Sequence, residues 1–344
     1  MRAVFVTGGS GFLGGALLDA LSERGEDVRA LARSEAAAAA VVARGAVPVR
    51  GDVTDLDALT AGMRGAELVV HAAARLRGGW AAVDELRRVN VDGSRTVLQA
   101  ARSAGVPRLV LISTEQVVLG DRPLVSADES APYPQRYVGP YAATKAEAEQ
   151  LVLAASTPEL TTVAVRPRLV WGRGDTGLLP GLAAAARSGR LRWVDGGAHL
   201  TSTTHVRNAV EGVLAAADRG RGGEAYFVTD GAPVPFRVFA TDLLATRGIV
   251  PDAGSVSGRV ARAAAGGTGA VWRTLRLPGG PPVDLATVRV IGEECTLRDE
   301  RARLELGYEG HVTRQQGLAE LRSDHTPAAA TPRDPRRGSE PTGE

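Results

Sequence analysis

The sequence predicts an α/β fold, a doubly wound parallel sheet followed by a smaller, discontinuous C-terminal part. Three observations carry that reading. A strand-like run, Ala3-Val4-Phe5-Val6, leads straight into Thr7-Gly8-Gly9-Ser10-Gly11-Phe12-Leu13-Gly14 and an apolar helix. Apolar runs then alternate with helical patterns through the first half of the chain, the rhythm of parallel strand–helix–strand units. Beyond residue 172 that rhythm breaks into short, irregular segments.

Taken in order, the strand at 3–6 is followed by a helix at 12–23, with Phe12, Leu13, Ala16, Leu17, Leu18 and Leu21 on its apolar side. Further strands are expected at 28–31, 47–49, 68–72 and 109–112, and helices at 55–63, 84–104 and 141–155. A strand at 162–165 runs into Arg166-Pro167. After it come a helix at 178–188, a short strand at 190–194, a helix at 206–218, a strand at 224–229 and a short helix at 301–307. Between 251 and 282 Gly, Pro and Ala dominate, with Trp272, Leu275 and Leu277 as the few large apolar groups. That stretch is expected to form a mobile helical lid. From Ser323 onward the chain is too polar to bury anything, and a disordered tail over 323–344 is expected.

The 344 residues suffice for a well-buried core in one large or two medium domains. With 23% charged residues and a net charge of +2, no strong field invites nucleic acid or a membrane surface. No apolar stretch reaches the ~18 residues of a membrane span, and strand and glycine loop begin too early for a secretory signal. A single cysteine, Cys295, excludes an internal disulfide and fits a reducing cytoplasm. Five histidines and that cysteine show no metal-ligand spacing, so no metal site is expected.

The chemistry begins at Gly8, Gly11 and Gly14. Glycine allows the tight turn and lets the backbone approach a pyrophosphate, whose charge then sits at a helix N-terminus. The strand before and the amphipathic helix after supply the context that separates a nucleotide loop from an ordinary turn. A second constellation is Tyr141-Ala142-Ala143-Thr144-Lys145. Positions four apart share a helical face, so the phenol and the ammonium point the same way. Pro140 suits the first helical turn. A nearby ammonium favours phenolate, which adapts a phenol of ordinary pKa about 10 to proton transfer at neutral pH. One element earlier, Ile112-Ser113-Thr114 brings hydroxyls to the carboxyl edge of the sheet, where such folds bind ligands.

These pieces resemble the extended short-chain dehydrogenase/reductase superfamily, up to about Arg322. The carrying segments are the glycine loop, Gly51-Asp52-Val53, His71-Ala72-Ala73-Ala74, Ser113-Thr114, Tyr141 with Lys145, and Arg166-Pro167 through Gly172. Within the superfamily the chain looks most similar to the 3β-hydroxysteroid dehydrogenase branch, which includes sterol-4α-carboxylate 3-dehydrogenases and 2-alkyl-3-oxoalkanoate reductases. Leu178-Leu179-Pro180, Gly223-Glu224-Ala225-Tyr226-Phe227 and Leu306-Gly307-Tyr308 add to that likeness.

The resemblance implies a Rossmann-like dinucleotide-binding domain over 1–168, to which 203–230 returns. It implies a substrate-binding cap from 169–202 and 231–322. Tyr141 would be the general acid/base, with Lys145 lowering its pKa and holding the nicotinamide ribose. Thr114 would orient the reacting oxygen, with Ser113 as the alternative hydroxyl. Relatives carry a small residue after this pair, whereas Glu115-Gln116 stands here. Gly8, Gly11, Phe12, Leu13 and Gly14 would cradle the cofactor, Asp52 and Val53 would meet the adenine, Ala72 and Ala73 would contact the cofactor, and Pro167 would lie against the nicotinamide. A homodimer through the long helices is implied as well.

At the end of the second strand stand Ala32-Arg33-Ser34, where an NAD-selective site usually has an acidic residue on the ribose 2′-hydroxyl. A guanidinium matches phosphate geometry, so NADP(H) is expected, with NAD(H) possible. Arg77 and Trp80, after the fourth strand, are the substrate candidates: one for a carboxylate, the other for an apolar body. The expected activity is interconversion of a secondary alcohol and a ketone on a hydrophobic small molecule. A nucleotide-sugar epimerase or dehydratase and a non-catalytic dinucleotide sensor are the rival readings.

Overall fold

The structure, a computed structural model, describes residues 1–76, 83–275 and 284–325. Its first half runs β1 (Ala3–Thr7), α1 (Phe12–Glu23), β2 (Asp27–Ala32), α2 (Glu35–Val42), β3 (Val47–Arg50), α3 (Leu56–Met63) and β4 (Leu68–His71). Next come α4 (Val83–Arg87), a π turn (Arg88–Asp92), α5 (Gly93–Ser103) and β5 (Arg108–Ile112). A 3-10 turn (Glu115–Val118), β6 (Leu124–Ala127), α6 (Pro140–Ala154) and β7 (Thr161–Pro167) complete it.

The second half holds β8 (Val170–Trp171), α7 (Leu178–Arg187), β9 (Trp193–Val194), β10 (Leu200–Thr201), β11 (Thr204–His205), α8 (Val206–Arg219) and β12 (Glu224–Val228). There follow β13 (Val234–Pro235), α9 (Phe236–Ala245), β14 (Ser255–Val256), α10 (Gly258–Thr274), α11 (Leu285–Gly292), β15 (Cys295–Leu297), a second π turn (Ala302–Leu306) and α12 (Arg314–His325).

Seven strands form one parallel sheet in the order β12-β7-β5-β4-β1-β2-β3. The order reverses between β4 and β1, which opens a crevice at their carboxyl ends. Alternation along β1 feeds two cores. Val4 and Val6 pack with Leu17, Leu18 and Leu21 of α1 on one face, and Phe5 packs with Leu59, Met63 and Val97 on the other. A third core, around Trp171, Trp193, Phe236 and Phe239, holds together the elements beyond β7. A smaller mixed sheet, β13-β10-β15-β6, lies beside it.

The expected strand–helix rhythm is present, with differences that have local causes. Helix α2 was not expected, because an Ala/Val run offers no amphipathic period; the Ser34 hydroxyl caps it by accepting the Ala37 N–H at 3.2 Å. The single helix expected over 84–104 is interrupted by the π turn, where Ser94 Oγ donates to the Asn90 carbonyl at 2.6 Å. In the lid region, 258–274 is a regular helix, while 276–283 lies outside the described residues. Helix α12 reaches His325, so Ser323 and Asp324 are helical; the rest of the expected tail, 326–344, lies outside the described residues. No helix among the described residues is long and apolar enough to cross a membrane.

Candidate active site

The glycine loop forms the floor of a cleft of about 1100 Å³. Gly8 holds φ +77°, and a Cβ there would lie 2.6 Å from Ala73 N. A Cβ on Gly14 would lie 2.1 Å from Gly8 O, so any side chain would push α1 off the loop. Gly11 precedes α1 and no side chain caps it, which leaves the first N–H groups of the helix available to an anion. Phe12, Leu13 and Gly14 line the same floor. This is the shape a dinucleotide pyrophosphate needs: backbone donors and no intervening side chain.

The other expected cofactor residues surround that floor. Arg33 and Ser34 stand at the end of β2, Asp52 and Val53 beyond β3, Ala72 and Ala73 beyond β4, and Pro167 at the end of β7; all line the cleft. Arg33 is exposed at the rim. Asp52 holds the Thr54 N–H and hydroxyl at 3.2 and 2.8 Å and pairs with Arg88 at 3.3 Å.

A buried polar chain links the glycine loop to α6. Ser94 gives its proton to Asn90 O, so it accepts from His71 Nε2 at 2.9 Å. That leaves His71 Nδ1 to accept from Thr7 Oγ1 at 2.7 Å, an assignment made from the network. Burial, aided by the Lys145 charge, pushes the His71 pKa down to about 3, which keeps the ring neutral. Asn90 continues the chain: its amide donates to Thr144 Oγ1 at 3.0 Å, and Thr144 donates to Tyr141 O at 3.0 Å.

Tyr141 and Lys145 sit one turn apart on α6, and both line the cleft with Thr114 and Ser113. Lys145 Nζ donates to Ile112 O at 2.8 Å. Burial brings the Lys145 pKa down to about 8, against the opposing pull of the Glu149 carboxylate. Glu149 is itself gripped by Arg166, at 2.6 Å, and by the Tyr133 hydroxyl, at 2.7 Å, which fastens α6 to β7. Burial raises the Tyr141 phenol, the Glu115 charge raises it further, and a hydrogen bond with Thr114 offsets part of this. The lowering expected from Lys145 is not among the influences on the phenol here, and Tyr141 holds its proton, the state from which it can donate.

Thr114 Oγ1 donates to Glu115 Oε2 at 2.7 Å, and Glu115 Oε1 pairs with Arg168 at 2.6 Å. Neither side chain of that pair reaches solvent. Ser113 Oγ is buried in the cleft wall with no partner among the described residues. An orphaned hydroxyl of this kind is what a bound ligand would satisfy.

The far end of the cleft is mainly apolar, lined by Leu169, Val170, Leu178, Ala286, Val290 and Ile291, with Thr176, Asp284 and Thr287 as its polar members. Asp175 also reaches this end, but its carboxylate caps α7 by accepting the N–H groups of Gly177, Leu178 and Leu179. Arg77 and Trp80 lie outside the described residues. Sequence reasoning missed Asn90, Ser94 and Arg168. A polar residue on an otherwise apolar helix stripe is the signal that marks the first two; Arg168 carries none, because its side-chain partners come from three different segments.

Comparison with known proteins agrees with this geometry. Residues 5–256 match the model of the 3-beta hydroxysteroid dehydrogenase/isomerase family. A 4-hydroxy-2-methyl-3-oxo-4-farnesyl-3,4-dihydroquinoline-1-oxide ketoreductase from Stigmatella aurantiaca is 52% identical over 318 residues, 92% of this chain and 95% of the relative. A 2-alkyl-3-oxoalkanoate reductase from Stenotrophomonas maltophilia is 39% identical over 332 residues, 93% of this chain and 98% of the relative. Among solved structures, a double mutant of the dTDP-glucose 4,6-dehydratase DesIV from Streptomyces venezuelae, with NAD bound, superimposes with a TM-score of 0.72 at 26% identity. The match covers 94% of this chain and 96% of that one. With a sheet of this topology, a glycine loop, and Tyr141 and Lys145 in one cleft, the chain belongs to the 3-beta hydroxysteroid dehydrogenase/isomerase family and is an oxidoreductase of the dehydrogenase/reductase type.

Proposed function

We propose that the protein is an NADP(H)-dependent oxidoreductase that interconverts a secondary alcohol and a ketone on a hydrophobic substrate, steroid-like or of β-keto/β-hydroxy acid type. One observation carries this reading. Tyr141, Lys145 and the Thr114 hydroxyl share a cleft whose glycine-loop end suits a dinucleotide and whose other end is mainly apolar. The relatives named as a ketoreductase and an oxoalkanoate reductase support it, and the NAD bound by DesIV supports a nicotinamide dinucleotide.

When bound, that cofactor supplies or accepts the hydride. The chain's own residues do the rest. Gly8, Gly11 and the first turn of α1 bind the pyrophosphate, and Asp52 and Val53 bind the adenine. Ala72, Ala73 and Pro167 shape the channel between. Lys145 and Tyr141 hold the nicotinamide ribose. Tyr141 Oη gives its proton to the ketone oxygen in reduction and takes it back in oxidation. Arg33 and the N-terminus of α2 at Ser34 take the 2′-phosphate that distinguishes NADP(H), and NAD(H) takes the same place without that contact. Arg77 and Trp80 stay proposed as substrate contacts.

The same reading assigns 1–168 with 203–230 to cofactor binding, and 169–202 with 231–322 to the substrate. It places the protein in the cytoplasm as a homodimer paired through α5 and α6, a mass that light scattering reads directly. A nucleotide-sugar epimerase or dehydratase would use the same fold, but the reductases among the relatives favour ketone reduction. A non-catalytic sensor has no need of both Tyr141 and Lys145.

The test is consumption of NADPH by the purified protein across a panel of hydrophobic ketones, repeated with NADH. Turnover of one or more ketones, faster with NADPH, is the expected result. NADPH binding without turnover of any ketone would contradict the reading.

A further inference from the structure

Thr114 meets the cleft as a hydrogen-bond acceptor. Its Oγ1 proton goes to Glu115 Oε2 at 2.7 Å, the one direction open between a hydroxyl and a carboxylate. Glu115 is fixed in that role by Arg168, whose Nη1 donates to Oε1 at 2.6 Å. Arg168 is anchored in turn: Nε donates to Thr201 Oγ1 at 3.1 Å and Nη2 to Val290 O at 2.6 Å. The whole assembly is buried.

Thr114 Oγ1 is left with two lone pairs. One meets the Gln116 N–H at a long 3.4 Å, and the other is left to the cleft that Thr114 and Tyr141 both line. With its own proton committed to Glu115, Thr114 can meet a cleft ligand through that lone pair only as an acceptor. A buried acceptor left without a partner is unfavourable.

Resting on the ketone-reductase reading above, we propose that the substrate itself supplies the missing donor, as a hydroxyl on the carbon next to the reacting carbonyl. The enzyme then acts on α-hydroxy ketones and on the vicinal diols they become. Two oxygens on adjacent carbons suit the two adjacent groups, the carbonyl meeting Tyr141 and the hydroxyl meeting Thr114. A plain ketone leaves Thr114 unpaired, and a neighbouring carbonyl or carboxylate sets acceptor against acceptor. In the reduction a hydride reaches the carbonyl carbon and the Tyr141 proton reaches its oxygen, while the nicotinamide is oxidised. The neighbouring hydroxyl makes and breaks no covalent bond. Glu115 and Arg168 are positioning residues, acting on the substrate only through Thr114.

The experiment compares kcat/KM with NADPH for three matched long-chain substrates: an α-hydroxy ketone, its methyl ether and the ketone lacking the oxygen. The hydroxy ketone is expected to lead both others by about tenfold. Glu115→Gln inverts the polarity, because its amide nitrogen donates to Thr114 and turns the threonine proton into the cleft. The lead should then collapse and the methyl ether should gain. Thr114→Val leaves the ion pair intact and should level the three substrates, whereas Thr114→Ser should restore the lead. Comparing ratios cancels any general loss of rate in these variants. Equal kcat/KM for the three ketones in the wild type, or a lead untouched by Thr114→Val, overturns the inference and leaves ketone reduction standing. Turnover of none of the three, nor of any other ketone, removes the reductase reading and the inference together.

Discussion

Arg168 and Glu115 face each other at 2.6 Å with no solvent on either side chain, and through them the end of β7 is tied to the end of β5. The same arginine holds α11 by its bond to Val290 O, so the catalytic edge of the sheet and the apolar wall of the cleft share one anchor. The residue after it, Leu169, takes φ +41°, a conformation unfavourable for a branched side chain, and lines the cleft.

Removing one partner of this pair should be far worse than removing both. Arg168→Met leaves the Glu115 carboxylate buried and uncompensated, a change typically worth about 3–5 kcal/mol. Urea unfolding should show a loss of that order, and the double variant Glu115→Leu/Arg168→Met should recover most of it. Equal losses in the single and double variants would mean that the pair is not coupled.

Arg33 stands at the rim of the cofactor end, where no acidic residue occupies the end of β2. Arg33→Ala should raise the KM for NADPH and leave that for NADH nearly unchanged. Steady-state kinetics with both cofactors checks this, and equal losses would move the phosphate contact elsewhere.

Lys145 should leave a mark on stability against pH. Its folded pKa, about 8, lies below the unfolded value of 10.5. Between those values the unfolded chain binds more protons, so stability from this group rises as pH rises from 8 toward 10.5. Below pH 8 the buried ammonium carries its full desolvation penalty. Against Lys145→Met, cofactor-free wild-type protein should gain up to about 3 kcal/mol across that window. Parallel stability curves for the two proteins would show that the ammonium is not desolvated.

Much of this was legible in the sequence because it is local. The strand–glycine–helix junction needs only residues 3–21, and Tyr141 and Lys145 share a face by helical spacing alone. Glu115 was visible as a departure after Ser113-Thr114, but its partner was not: Arg168 lies 53 positions away and reads as part of a strand-end motif. The π turn was hidden because its cause is the polar network of Asn90 and Ser94 rather than a helix-breaking residue. Helix α12 was missed because Arg314-Gln315-Gln316-Gly317 reads as polar loop, although Leu318 and Leu321 bury in the core around Trp171.

That helix also fixes where the C-terminus can be cut. Asp324 pairs with Arg173 in the segment between β8 and α7, so truncation should spare it. Removing 326–344 should leave melting temperature and cofactor affinity unchanged, as expected of a polar segment that cannot offset its ordering entropy. Removal of 314–344 should lower the melting temperature by uncovering the core around Trp171. Differential scanning calorimetry on the two truncations separates these outcomes, and a large loss on the shorter cut would show that 326–344 docks.

The central claim is that Tyr141 moves the proton. Tyr141→Phe keeps the ring and its packing on α6 and removes only the hydroxyl. The decisive measurement is kcat for NADPH-dependent reduction of a ketone that the wild type demonstrably turns over, with NADPH affinity measured on the same preparation. A fall of roughly 10²–10⁴-fold in kcat with near-normal NADPH binding is the expected result. Wild-type turnover in Tyr141→Phe would contradict the account and pass the proton to another group of the cleft, with Glu115 the first to examine.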